Sequence, residues 1–143
     1  MRERAPSILL VEDNATLGRV LARFLRERGN MEVWALVETA EGALEWLAAL
    51  SADGGRPDLV VIDVSLPGMS GIELVAELAR LYPELPCLML SAHSDPQHVR
   101  QALDNGARGY AAKGDPPVLV EAVEQVLGGE IYLSEAMRQA MEA

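Results

Sequence analysis

Residues 59–71 read Leu-Val-Val-Ile-Asp-Val-Ser-Leu-Pro-Gly-Met-Ser-Gly. The four apolar residues Leu59–Ile62 show no polar alternation, as expected of a strand covered on both faces. The run stops at an acid, Asp63. Pro67-Gly68 then supplies turn chemistry, and Gly68 and Gly71 permit tight turns beside the acid. Ser70 with Glu73 forms a capping box that starts a helix. Strand, acid, turn and helix follow one another in a single unit of α/β type.

The same unit repeats outward. Ser7–Val11, Glu32–Val37, Cys87–Leu90 and Gly109–Ala112 read as further strands. Between them the apolar positions take helical spacing. Leu17, Val20, Leu21, Phe24 and Leu25 form one stripe; Ala40, Ala43, Leu44 and Leu47 form another. Val99, Ala102 and Leu103, then Leu119, Ala122, Val123, Val126 and Leu127, complete the set. Gly29 and Gly106 suit the ends of the first and fourth helices. Asp95-Pro96 suits the start of the fourth. Five strands alternating with five helices imply a parallel sheet with helices on both faces. After Gly128-Gly129 breaks the fifth helix, Ile131-Tyr132-Leu133 is a short apolar patch. Ser134 suits the cap of a final helix carrying Met137, Ala140 and Met141. The expected organisation is one α/β domain over residues 6–127 and a linker with a short helix over 128–143.

Composition narrows the function classes. The chain has 143 residues, half of them hydrophobic, enough for a real core. No apolar run approaches the ~20 residues of a membrane helix. The start, MRERAPSILLVED, lacks the long apolar core of a signal peptide. A cytoplasmic location and no membrane partner are expected. The one cysteine, Cys87, cannot form an intrachain disulfide, and within CLML it reads as a buried inert thiol. A net charge of -10 argues against nucleic-acid binding by this surface. Acidity suits a cation site without locating it, and suits equally a soluble, self-repelling surface. The chain has 11 arginines and one lysine, Lys113. Lys113 is either a place where only a compact ammonium serves or an accident of composition.

In open parallel sheets, ligands bind beyond the carboxyl ends of the strands. Glu12 and Asp13 follow the first strand, Asp63 ends the third, Ser91 ends the fourth, and Lys113 follows the fifth. Three carboxylates gathered there repel unless a cation intervenes. A hard divalent ion such as magnesium answers that need. A carboxylate beside it can accept a phosphoryl group as an acyl phosphate. Lys113 can offset phosphoryl charge, and Ser91 can donate to a phosphoryl oxygen. Taken singly, each residue also has a plain structural reading. Asp63 starts a turn, Glu12-Asp13 or Ser91 caps a helix, and Lys113 is solvated.

Together the motifs VEDN (11–14), VIDVSLPGMSG (61–71), LSA (90–92) and YAAKG (110–114) resemble the receiver domain of response regulators, of which chemotaxis receivers are one kind. The resemblance covers roughly residues 6–127. It implies a flavodoxin-like doubly wound five-stranded parallel sheet of order 2-1-3-4-5, with five helices and the short linker helix after them. It implies that Asp63 accepts phosphate from a sensor histidine kinase. It implies that Glu12, Asp13, Asp63 and the backbone carbonyl of Ser65 hold Mg2+. By the same resemblance Ser91 is the switch hydroxyl, Lys113 pairs with the phosphate, and Tyr110 is the aromatic switch, with plain core packing as the other reading of its ring. Many receivers have proline after the lysine, with a cis peptide; here Gly114 stands there. Ser65 and His93 flank the phosphate by resemblance, and His93 otherwise reads as a surface loop residue. The tail GGEIYLSEAM is similar to the linker of NarL/FixJ-type regulators, which continue into a LuxR-type helix-turn-helix. Homodimerisation on phosphorylation, and DNA binding through a C-terminal domain outside this chain, are therefore expected, with a receiver-only protein as the alternative.

Other classes fit less well. A haloacid-dehalogenase-like phosphatase needs a second aspartate two residues after its nucleophile, where Ser65 stands. In a flavodoxin, Glu12-Asp13 would repel the FMN phosphate. The chain is thus not expected to be an enzyme beyond its own phosphotransfer and dephosphorylation. The remaining alternative is a receiver-like interaction module that works without phosphorylation.

Overall fold

The computed structural model describes residues 4–92 and 95–142. The elements in chain order are β1 (Ser7–Val11), α1 (Ala15–Gly29), β2 (Glu32–Val37), α2 (Ala40–Ala52), β3 (Leu59–Asp63) and α3 (Gly71–Leu81). They continue with β4 (Cys87–Ser91), α4 (Pro96–Asp104), β5 (Gly109–Ala112), α5 (Pro116–Leu127), β6 (Tyr132–Leu133) and α6 (Glu135–Glu142). The sheet runs β2-β1-β3-β4-β5-β6, every pairing parallel. The expected order holds for the first five strands. The count is corrected: six strands, among the described residues, replace five. The patch after Gly129 adds β6 to the edge of β5. Two residues are too few to show a strand period, so only the partner reveals them.

Alternation along the buried strands divides the core. Ile8, Leu10, Leu59, Val61, Leu88, Leu90 and Ala111 face α1 and α5. Leu9, Val11, Val60, Ile62, Met89 and Tyr110 face α2, α3 and α4. Each β1 and β3 residue is buried, which is why Ile8–Val11 and Leu59–Ile62 are unbroken apolar runs, with Ser7 and Asp63 the buried polar residues at their ends. β2 lies at the sheet edge and is half exposed.

Local chemistry fixes the helix starts. The side chains of Asn14, Thr39 and Asp95 accept from Leu17, Gly42 and Gln97 amides at the heads of α1, α2 and α4. Both halves of the Ser70–Glu73 capping box form. α1 ends at the expected glycine. Gly29 is the last helical residue, packed against Met31 and Val120, and Asn30 takes the left-handed turn at φ 53°. Asparagine tolerates that conformation better than other side chains with a Cβ. No helix among the described residues is long and apolar enough to cross a membrane.

The tail packs into this body. Tyr132 is buried on the α5 side, and Met137 of α6 is 1% exposed within the other core cluster. An eight-residue helix is not stable alone, so α6 depends on that contact. Met137→Ala should cost about 2–4 kcal/mol of unfolding free energy in urea. An unchanged midpoint would mean that α6 is not docked in solution.

Candidate functional site

The backbone ladder extends past the strand ends and carries the polar residues with it. The Glu12 amide donates to the Val37 carbonyl at 2.9 Å, and the Lys113 amide donates to the Ser91 carbonyl at 2.9 Å. Glu12, Asp63 and Lys113 therefore keep the parity of Leu10, Val61 and Ala111, and meet on the α1/α5 side of the sheet. Ser91 keeps the parity of Met89, which is the side of Tyr110.

Lys113 Nζ lies 2.9 Å from Asp63 Oδ2 and 3.0 Å from Glu12 Oε1. Glu12 and Asp63 are almost wholly buried, and the Lys113 side chain is mostly so. Asp63 Oδ1 accepts from the Ser65 amide at 3.0 Å, and Glu12 Oε2 accepts from the Asn14 amide at 3.0 Å. Glu12 Oε1, although close to the ammonium, is buried with no hydrogen bond of good geometry. Carboxylate oxygens of Glu12, Asp13 and the phosphoacceptor candidate Asp63 all lie within 4.8 Å of one another.

The charges behave as the geometry dictates. Burial raises the Glu12 carboxyl above its ordinary value, against the hydrogen bonds from Asn14 and Lys113. Asp13 is exposed. Its slight desolvation is outweighed by hydrogen bonds with Glu12 and Asp63, which leave it below the usual carboxylate range. Desolvation works to lower Lys113, but its bonds to Asp63 and Glu12 win and hold the ammonium above its ordinary value. A buried acidic oxygen without a well-formed hydrogen bond, inside a cluster of hard oxygen ligands, fits a divalent cation such as magnesium.

Gly71 lets this cluster form for a reason other than turn geometry. A Cβ there would lie 2.0 Å from the Asp63 carbonyl oxygen, so α3 begins against the strand only because that atom is missing. Gly68 does take a left-handed φ of 72°. Its neighbour's amide, on Met69, donates to Glu41 Oε2 at 3.4 Å. Glu41 was not legible as part of this edge, since it lies 28 residues away at the head of α2. Tyr110 is fully buried, which raises its phenol, opposed by a hydrogen-bonding contribution from Ser91. Gly114 has open space around it, and no described peptide bond is cis. His93 lies outside the described residues. Cys87 is buried, and burial pushes its thiol up to about 12, as an inert core group requires.

Removing the ammonium tests the electrostatics. Lys113→Met leaves two carboxylates without their cation and should cost about 2–3 kcal/mol at pH 7, less than for a fully buried pair because Lys113 is partly exposed. With Glu12 raised further in the folded state, the variant's stability should recover as pH falls through that raised value. Adding Glu12→Gln should return most of the loss at pH 7. A variant as stable as the parent would show that the contact contributes nothing.

The response regulator receiver domain family matches residues 8–124. The transcriptional activator protein ExaE of Pseudomonas putida is 37% identical over 131 residues, covering 91% of this chain and 59% of ExaE. The response regulator UvrY of Escherichia coli O157:H7 is 28% identical over 136 residues, covering 94% of this chain and 60% of UvrY. The chain thus spans about three-fifths of the length of these relatives. Among solved structures, a LuxR-family two-component response regulator from Aurantimonas sp. SI85-9A1 superposes with a TM-score of 0.88 at 28% identity, covering 97% of this chain and 96% of that one. Since the family match runs from the first strand into the fifth helix, the chain belongs to the response regulator receiver domain family.

Proposed function

We propose that Asp63 is the phosphoacceptor, taking its phosphoryl group from a phosphohistidine on a sensor histidine kinase. The observation that carries this reading is the buried Asp63 carboxylate held 2.9 Å from Lys113 beside Glu12 and Asp13. A carboxylate oxygen of Asp63 attacks phosphorus. The P–N bond to the imidazole breaks, its electron pair stays on the ring nitrogen, and that nitrogen takes a proton. The product is an acyl phosphate on Asp63.

Each neighbour has a part. Glu12, Asp13, Asp63 and the Ser65 backbone carbonyl form the set that would hold Mg2+. Bound there, magnesium supplies positive charge that offsets the phosphoryl oxygens during transfer. Lys113 already rests on the acceptor and keeps its charge, because its carboxylate partners raise it. The Ser91 hydroxyl, at the end of the adjoining strand, donates to a phosphoryl oxygen, and the Ser65 amide orients the acceptor through Oδ1. Catalysis by this chain is confined to its own phosphotransfer and dephosphorylation.

Phosphorylation adds about -1.5 to -2 charges near neutral pH. Ser91 and Lys113 are drawn to it. Tyr110 repacks on the same side of the sheet as Ser91, and α4, β5 and α5 shift as a two-state element. The output is altered homodimerisation in the cytoplasm. DNA contact belongs to a further C-terminal domain of a longer protein, as the name of ExaE as a transcriptional activator suggests. The acidic surface of this chain suits that division of labour. A phosphorylation-independent module would have no need of the full acidic pocket.

Incubation with acetyl phosphate and magnesium should add about 80 Da to the intact mass, one phosphoryl group in acyl linkage. Chelator should abolish the gain, and so should Asp63→Asn. Labelling of Asp63→Asn at the parent's level overturns the assignment. No gain by folded, magnesium-bound protein favours the phosphorylation-independent module.

A further inference from the structure

The tail is joined to the far side of this site by contacts that phosphotransfer itself does not use. In the sheet, Leu133 of β6 lies opposite Tyr110 of β5, and Tyr110 lies opposite Met89 of β4, two residues before Ser91. Met137 of α6 is buried in the same cluster as Tyr110 and as Val99 and Ala102 of α4. Arg100 Nη2 on α4 donates to the Met141 carbonyl on α6 at 2.9 Å. α6 is thus docked by α4 and follows directly on β6, which pairs with β5; α4 and β5 both lie beside Ser91.

We infer that α6 is a state-dependent clamp, docked on α4 while Asp63 is unmodified and released when Asp63 carries a phosphoryl group. The inference rests on the phosphoacceptor reading above. Its physical basis is the dependence of an eight-residue helix on its docking surface. Val99, Ala102 and Tyr110 share the buried cluster that takes Met137, and α4 packs against α6. A shift of α4 or of the Tyr110 ring opens a gap there, and close-packed contacts give way in discrete steps rather than stretch. Released, α6 loses its own helical hydrogen bonds, so the state of Asp63 becomes the order or disorder of the chain that follows the sheet. Linkage makes the coupling reciprocal: loosening α6 loosens α4 in turn.

Spatial intermediacy is not coupling, so the test measures coupling directly. Hydrogen exchange is followed on the whole chain with acetyl phosphate and magnesium, and intact mass on the same sample reports occupancy. Amides of residues 136–142 should exchange about 5- to 150-fold faster in the phosphorylated protein. Those of α3 should stay as they were. Met137→Ala, and more mildly Arg100→Ala, should show fast tail exchange without phosphate and at most about twofold further change with it. Mass gain with tail exchange unchanged or slowed overturns the clamp and leaves the phosphoacceptor reading standing. Faster exchange throughout the chain also overturns it, since that is general loosening. Absence of any mass gain overturns both.

Discussion

One ammonium between two buried carboxylates sets the terms for the rest of this molecule. Glu12 and Asp63 sit at the ends of adjacent central strands with almost no exposure, and Lys113 touches both. Burying one such charge is costly, and burying two of like sign is worse. The arrangement holds because three strands end at the same edge and bring the compensating charge to it. It also explains the use of lysine in a chain otherwise supplied with arginine. The space between the carboxylates admits a compact cation at 2.9–3.0 Å from each. A planar guanidinium is a different shape with fixed donor directions.

The strands and their ends were legible because burial on both faces leaves unbroken apolar runs, and because a run that stops at an acid marks its own end. Leu59–Ile62 followed by Asp63 is the clearest case. The parity of Glu12, Asp63 and Lys113 was equally present in the sequence, but their meeting depends on the sheet order, which no single segment encodes. Other features were not legible. β6 has two residues and exists only through its pairing with β5. Asn30, directly after Gly29, takes the left-handed turn that closes α1, a conformation open to both residue types. Gly71 reads as a turn residue, yet its role is to leave space for the Asp63 carbonyl. Glu41 reaches the loop after Asp63 from another helix, a contact that depends on tertiary placement.

The division of the core gives the site two sides with separate duties. The charged residues Glu12, Asp63 and Lys113 share the α1/α5 side, where α1 and α5 pack against each other and the sheet. Ser91 and Tyr110 share the side of α4, and the tail joins them there through Leu133 and Met137. Chemistry at one face and packing at the other meet at a single row of strand ends. Such a layout lets a change of charge on Asp63 be felt as a change of packing around Tyr110 with few intermediates.

On the reading proposed above, this charge-compensated edge makes Asp63, and no neighbouring acid, the phosphoryl acceptor. Borohydride reduction of the labelled protein tests it most directly, since it converts an aspartyl acyl phosphate to homoserine and fixes the position of the linkage. Peptide sequencing should find homoserine at position 63 and unchanged acids at Glu12 and Asp13. Homoserine at position 13, reduction of Glu12, or conversion spread over exposed acids would place the acceptor elsewhere than Asp63.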